Sequence, residues 1–505
     1  MKNSDLFDVL RNLSNEEISE FDNYLKSPYF VKGKSLNKFF KEIINIREYL
    51  VDFEYEKLVF KLCKKLKYSK LTLGKQISYL SKEVINFLKQ KSIEIDKYSV
   101  EINFNEYLLN RQSFSVLKSN LKKTAALLKN DLQIRDKTFL HSFRNNILNF
   151  TSNVECPRIL FKTNLSDNHV YLDNALIDLT LFTLMQSSGI FINNVLLNLN
   201  LNDDERNSFL INLENIFLEC DKSDLFKSSD ERRIICDIYH KMYLTYYKKN
   251  NKLNFVRYKN IVDKSVLLLS KELIYFHYKV LINFCIMKER LGEEYDYYKR
   301  ERVKLMYRYF NNNYFKTDES EFINQIEFKN FIISAFSIKQ YENIKSFIEN
   351  NSYKLNPVDF NDMVNYGYAY YYLGKKDYRK ALKNLNDISE GIPIIKFDIR
   401  NIEMRIYFEL GTIEPLINAI HNYRAIVLND STLTKSDKES LFAMLKYFNS
   451  LINVVGKTDK KEQIFLAEYN KQLIRKEQTF SLKNWLLEKF ENIVSSKYIQ
   501  KYSNL

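Results

Sequence analysis

Gly33-Lys34-Ser35 has the residue types that end a phosphate-binding loop, where backbone amides and a lysine meet the phosphates of a nucleotide. The surroundings deny that chemistry: Pro28 stands where the first glycine belongs, and a helical pattern rather than a strand precedes it. Five histidines (His141, His169, His240, His277, His421) could ligate a metal, yet none has another three or four positions away on one helix face. Ser115-x-x-Lys118 has the order of a serine nucleophile and a lysine base but lacks its companion motifs. The cysteines (Cys63, Cys156, Cys220, Cys236, Cys285) are odd in number and widely spaced, with no C-x-x-C. They read as reduced thiols packed in helices. Carboxylates are many, but no pair is set apart for acid–base work. The expectation is a protein that is not an enzyme and has no cofactor or metal.

The elements that would position any site are helices. Glycine and proline together number only 9 and 5 in 505 residues, against roughly 12% in an average protein. These two residues supply the positive-φ positions and missing N–H groups that shape β-turns. Apolar residues fall at Ile234, Ile238, Met242 and Tyr246, with a second row at Ile235, Tyr239 and Tyr243, which makes one broad helical stripe. Ser14 with Glu17, Ser228 with Glu231, and Ser436 with Glu439 have the spacing of capping boxes. No long run alternates with period two, so the fold class is all-α. A hydrophobic content of 45% with 28% charge excludes general disorder. Part of the 36 Tyr and 37 Phe reflects AT-rich codons, which lowers the weight of any one aromatic.

A chain of 505 residues exceeds what one core sustains. Residues 1–150 read as an N-terminal helical domain, and residues 51–150 carry 19 basic against 10 acidic side chains within a net charge of +14. Lys61, Lys64, Lys65 and Lys67 interleave with Leu62, Cys63 and Leu66; Lys118, Lys122, Lys123 and Lys129 do so around Leu117, Leu121 and Leu127. That is the pattern of a solvated helix face. Residues 151–174, with Pro157 among many small polar residues, read as a linker, and 175–505 as a second helical domain. Weaker breaks fall at Asn311 to Ser320 and Leu428 to Asp437, which leaves 436–505 as C-terminal capping helices. The uncharged run Leu179 to Asn202 holds Gln186, Ser187, Ser188, Asn193 and Asn194 near its middle. It reads as two buried helical pieces meeting at Gly189 rather than a membrane span. Met1 to Leu13 has acids and no apolar core, so no secretory leader is expected, and the protein reads as cytoplasmic.

Leu373-Gly374 and Leu410-Gly411 each close an aromatic-rich helix 37 residues apart, and Lys339-Gln340-Tyr341 marks a similar junction upstream. This spacing is that of an array of helical hairpins, each burying its face against its neighbours. From Phe360 to Pro393 the chain resembles a tetratricopeptide repeat: Met363, Gly367, Ala369 and Tyr370 match the first helix, Gly374 the turn, and Tyr378, Ala381 and Pro393 the second helix and its stop. The resemblance implies a tetratricopeptide-like α-solenoid, clearest at 321–425. Two further stretches, Leu13-Ser14…Phe21…Tyr24-Leu25-Lys26-Ser27-Pro28-Tyr29-Phe30 and Lys483-Asn484-Trp485-Leu486-Leu487-Glu488-Lys489, resemble an uncharacterised family of large all-helical bacterial proteins with tetratricopeptide-like middles. That resemblance implies architecture and no activity.

The tetratricopeptide alignment implies that Tyr370 packs inward while Asn361, Asn365, Tyr368, Tyr371 and Tyr372 face a concave groove, with Arg405, Phe408 and Glu409 as the equivalent positions one repeat later. These residues form the expected partner site, on first helices rather than on turns. The only tryptophan, Trp485, shares a helix face with Leu486, Phe490 and Ile493 and reads as a cap on the end of the stack. The expected function is a non-enzymatic scaffold that binds a protein or peptide partner. A nucleic-acid-associated regulator using residues 51–150 is the alternative, and an enzyme of unrecognised type the next. No membrane partner is expected.

Overall fold

The computed structural model describes residues 6–495 apart from 7–8, 11–12, 28, 32–35, 46–54, 132, 156–165, 199–214, 221–229, 248–251, 292–293, 318–321, 390–393, 432 and 478–479. The protein is all-α. Among the described residues there is no strand ladder, only two isolated bridges, Ile134 to Leu269 and Ile323 to Leu355. The chain divides into two compact units. The first is Met1–Leu132 with Lys137–Thr183, and the second is Gln133–Asp136 with Leu184–Leu505.

The first unit contains α1 (Asn15–Lys26), α2 (Asn37–Ile44), α3 (Tyr55–Leu66), α4 (Lys70–Ile95), α5 (Lys97–Asn110), α6 (Phe114–Asn130) and α7 (Thr138–Glu155). It also holds the first part of α8 (Ser166–Asn198). The capping box that starts α1 is formed: the Ser14 amide donates to Glu17 Oε2 at 2.7 Å and the Glu17 amide to Ser14 Oγ at 3.1 Å. Phe21, Phe39, Phe40, Leu80 and Val84 make one core, and Ile102, Leu117, Leu121 and Leu148 another. Lys64, Lys65, Lys67, Lys118, Lys122 and Lys123 are exposed beside buried Leu62, Leu117 and Leu121, as a solvated face requires. A buried polar chain ties α5 to α6, with Asn105 donating to Thr124 Oγ1 at 3.0 Å and Asn120 to Asn105 Oδ1 at 2.9 Å.

The second unit holds the rest of α8 and then α9 (Asp230–Tyr247), α10 (Lys252–Lys264), α11 (Lys271–Arg290), α12 (Tyr295–Asn311), α13 (Gln325–Ser337) and α14 (Tyr341–Asn351). There follow α15 (Phe360–Gly374), α16 (Tyr378–Asn386), α17 (Lys396–Leu410), α18 (Ile413–Asn429), α19 (Lys435–Val455), α20 (Lys460–Lys476) and α21 (Lys483–Val494). Each helix from α9 to α21 packs against the next, and α13, α15 and α17 also pack in series. The core is aromatic: the Phe331 and Phe347 rings lie 4.0 Å apart, with Phe310 and Phe328 each 5.0 Å from Phe347. Buried Tyr246, Tyr278 and Tyr309 find acceptors, whereas the buried Tyr423 hydroxyl has none among the described residues. Tyr246 donates to the Val280 carbonyl at 2.7 Å, Tyr278 to Asp263 at 2.7 Å and Tyr309 to Glu327 at 3.0 Å.

Four turns in this unit share one construction. After α12, α13, α15 and α17 a residue takes left-handed backbone: Asn313 (φ 57°), Lys339 (φ 60°), Lys376 (φ 62°) and Gly411 (φ 74°). The amide of each bonds back three residues, to Phe310, Phe336, Leu373 and Phe408, and the following amide bonds back five, to Tyr309, Ala335, Tyr372 and Tyr407. This is the Schellman closure, which satisfies the last carbonyls of the helix. The Leu373-Gly374 and Leu410-Gly411 signals thus mark the same turn, but the left-handed residue in the former is Lys376. Gly374 is small for another reason. A Cβ there would collide with the ring of Tyr341. Gly367 is equally confined, since its Cβ would fall 2.7 Å from Ile348 Cδ1.

Several expectations are corrected. Residues 151–155 and 166–174 are helical, not linker, and the division between units falls at Thr183; Pro157 lies outside the described residues. Gly189 does not separate two pieces: α8 runs through it, and the nearest neighbour a Cβ would meet is Phe276 at 3.9 Å. The box expected at Ser436 and Glu439 forms at Thr434 and Asp437 instead, because α19 begins at Lys435 and Thr434 has the extended backbone of a cap. Ser228 and Pro393 lie outside the described residues. By length and composition one described helix, Asn168–Asn193, could cross a membrane, and 50% of its most apolar window is buried within the protein.

Candidate functional site

A groove of about 2230 Å³ runs along the second unit. The C-terminal ends of α11, α13, α15 and α17, the starts of α12, α14 and α16, and parts of α19 and α21 form its walls. It follows the hairpin turns, because the Schellman closures bring each first helix to an end beside the start of the next.

At its centre lies Arg405 of α17. The guanidinium carbon sits 5.2 Å from the centroid of Phe336 and 5.4 Å from that of Trp485. Those rings come from α13 and α21, helices far apart in sequence. Arg405 is half-buried; its Nε is buried without a hydrogen-bond partner, and no carboxylate forms an ion pair with it, among the described residues. Burial holds its pKa below the usual arginine range, opposed by Tyr370, Glu409, Tyr341 and Glu488 around it.

One helical turn on, Glu409 accepts an ion pair from Lys489, with side chains only 11% and 8% exposed. Lys489 is itself one turn beyond Trp485, and its Nζ lies 5.4 Å from the indole. Two i, i+4 pairs, Arg405 with Glu409 and Trp485 with Lys489, therefore face each other across α17 and α21. The indole also stacks on Phe448 at 5.3 Å and meets Phe408 edge-on at 5.5 Å. At the far end of the groove Arg302 pairs with Glu289 at 2.9 Å, where burial raises the Glu289 carboxyl.

Of the residues that the alignment placed on the groove face, Arg405 and Glu409 line this groove. Tyr366 and Tyr370 are buried. Tyr368 and Tyr372 are half-buried and stack on each other at 6.1 Å, with Lys380 5.3 Å above Tyr372. Tyr371 meets Tyr372 at 5.1 Å, and Asn365 donates to the Asp387 carbonyl at 3.3 Å. Asn361 is exposed. Phe408 is 2% exposed and belongs to the core with Leu416, Phe448 and Phe490, so the expected exposed contact is a packing residue. The tetratricopeptide alignment placed one face of α15 toward the groove; the groove instead follows the turn ends. Phe336, Tyr341 and Lys489 were not singled out as site residues. The i, i+4 spacing of Trp485 with Lys489 is the signal that sequence carries for the last of them.

The described histidines do not gather. Buried His277 accepts from or donates to Tyr258 Oη through Nδ1 at 2.7 Å, and His141 lies 3.1 Å from Ser99 Oγ. No group of three metal-ligating side chains occurs among the described residues. Cys63, Cys220, Cys236 and Cys285 form no disulfide with one another; Cys156 lies outside the described residues. In comparison with known proteins the chain matches no family, no curated protein and no solved structure.

Proposed function

We propose that this chain is a non-enzymatic helical-repeat scaffold that holds a protein or peptide partner in the groove of its second unit. The hairpin array is read as a tetratricopeptide-like α-solenoid on the serial packing of α13, α15 and α17 and on the repeated turn. The observation that carries the functional reading is the groove itself: about 2230 Å³ of concave surface with aromatic rings and mixed charge, built on helices that need no ordering to receive a ligand. Rigid rings and an arginine are the side chains that anchor protein partners.

The test is retention of proteins from a native lysate on the immobilised full chain, with and without nuclease, beside a Ser440→Trp variant that fills the groove wall. The reading requires a retained protein that survives nuclease and is lost with Ser440→Trp. Retention abolished by nuclease would favour the basic segment 51–150 and a nucleic acid. Retention indifferent to Ser440→Trp would remove the groove from the explanation.

A further inference from the structure

Arg405 Nε is buried in this groove without a hydrogen-bond partner, and no carboxylate forms an ion pair with the guanidinium among the described residues. Arg302 Nε and Glu289 Oε1 also lack a hydrogen bond there, but those two side chains pair with each other. Removing a charge from water without pairing it is unfavourable, and an apolar residue of similar length would serve packing better. Contact with the Phe336 and Trp485 rings offsets part of that cost but leaves the Nε–H donor unused. Lys489 nearby is different, because Glu409 holds it. A residue whose place is unfavourable for the free protein is accounted for by what it does in a complex.

Resting on the reading of the groove as a partner site, we propose that Arg405 is its anion subsite, and that the bound segment places an Asp or Glu side chain against it. With rings at 5.2 and 5.4 Å from its central carbon, the guanidinium keeps its hydrogen-bonding directions in its own plane. That planar fork matches the two oxygens of a carboxylate. Lys339 and Lys376, exposed on their left-handed turns, line the same groove, but Glu409 and Glu488 line it too, so the preference for negative charge rests on Arg405 itself. A groove that extends from α11 to α21 takes a stretch of chain along its length, so the carboxylate reaching its middle is one borne on a side chain.

Trp485, the only tryptophan in the chain, reports on the site directly. Its emission would be followed while the full-length protein is titrated with three synthetic peptide pools. One has a central Glu among randomised neutral residues, with both ends blocked; the second has Gln in that place; the third is neutral throughout with a free C-terminal carboxylate. The Glu pool should change Trp485 emission at about ten-fold lower concentration than the Gln pool, the effect of one charge-assisted contact. Arg405→Met should abolish that preference while melting at or above the parent temperature, and Arg405→Lys, which keeps charge but not the fork, should lose most of it. Equal response to Glu and Gln pools would overturn the anion subsite while leaving the partner groove standing. A stronger response to the free-terminus pool would assign the carboxylate to a chain end and overturn the side-chain source. A lower melting temperature for Arg405→Met would show that the arginine serves packing, and no response to any pool would end the proposal.

Discussion

The ring of Tyr341 occupies the space where a side chain at Gly374 would have to stand. Gly374 ends α15 without positive φ, so the requirement is one of room and not of backbone conformation. Gly374→Ala should therefore destabilise the protein by roughly 1–3 kcal/mol through overpacking. Urea unfolding should show a lower midpoint with unchanged slope. Tyr341→Ala should absorb much of the penalty, giving a double variant less destabilised than the sum of the singles. Gly367→Ala should cost less, because the nearest obstructing atom is the terminal methyl of Ile348 at 2.7 Å, whereas at Gly374 three ring atoms of Tyr341 lie within 2.6 Å.

The repeated turns offer a second test. Lys339 and Lys376 hold left-handed backbone that an L side chain adopts at a cost of roughly 1 kcal/mol. Lys339→Gly and Lys376→Gly should each be neutral to stabilising by up to about 1 kcal/mol. Gly411→Ala should be destabilising by a similar amount. Thermal unfolding of the three variants orders them; a stable Gly411→Ala would show that the closure after α17 is not under this constraint.

Lys489 and Glu409 form a pair withdrawn from solvent. Lys489→Met leaves the carboxylate of Glu409 without that partner in a poorly hydrated place, and should cost about 3 kcal/mol. Lys489→Met with Glu409→Met should recover most of that loss, since two apolar side chains replace two charges. Chemical denaturation of the singles and the double decides it.

His277 is enclosed beside Tyr258, Tyr239 and Phe276, and burial lowers its pKa to about 3. The folded state thus binds its proton more weakly than the unfolded chain, whose histidine titrates at about 6.5. The stability this group contributes is present above about pH 6.5 and is lost as pH falls toward 3. Its share of the slope approaches about 1.4 kcal/mol per pH unit within that window. Stability against pH should fall less steeply below pH 6 in His277→Gln than in the parent, and parallel curves would show that other groups set the acid limit.

Much was legible in the chain because it is written locally. The scarcity of glycine and proline, the stripes around Ile234 to Tyr246 and the Ser14–Glu17 box depend on residues within one or two turns, and the helices follow. The tetratricopeptide resemblance also implied an inward Tyr370, and that side chain is buried. Local signals misled where two candidates lay side by side. Thr434 took the cap two residues before Ser436, and Gly374 marked the turn while the left-handed residue that closes it is Lys376, a surface lysine with no signal in sequence.

The groove was decided by tertiary structure. Arg405 was visible as a candidate, but its neighbours Phe336 and Trp485 stand 69 residues before it and 80 after it, and no periodicity relates positions so far apart. Phe408 shows the same limit from the other side: one face of α17 carries both the groove arginine and, three residues on, a core phenylalanine. Which of them meets solvent depends on where α21 lies against α17. Helical periodicity states that a face is buried; only the packing of distant helices determines what it is buried against and which polar group remains without a partner.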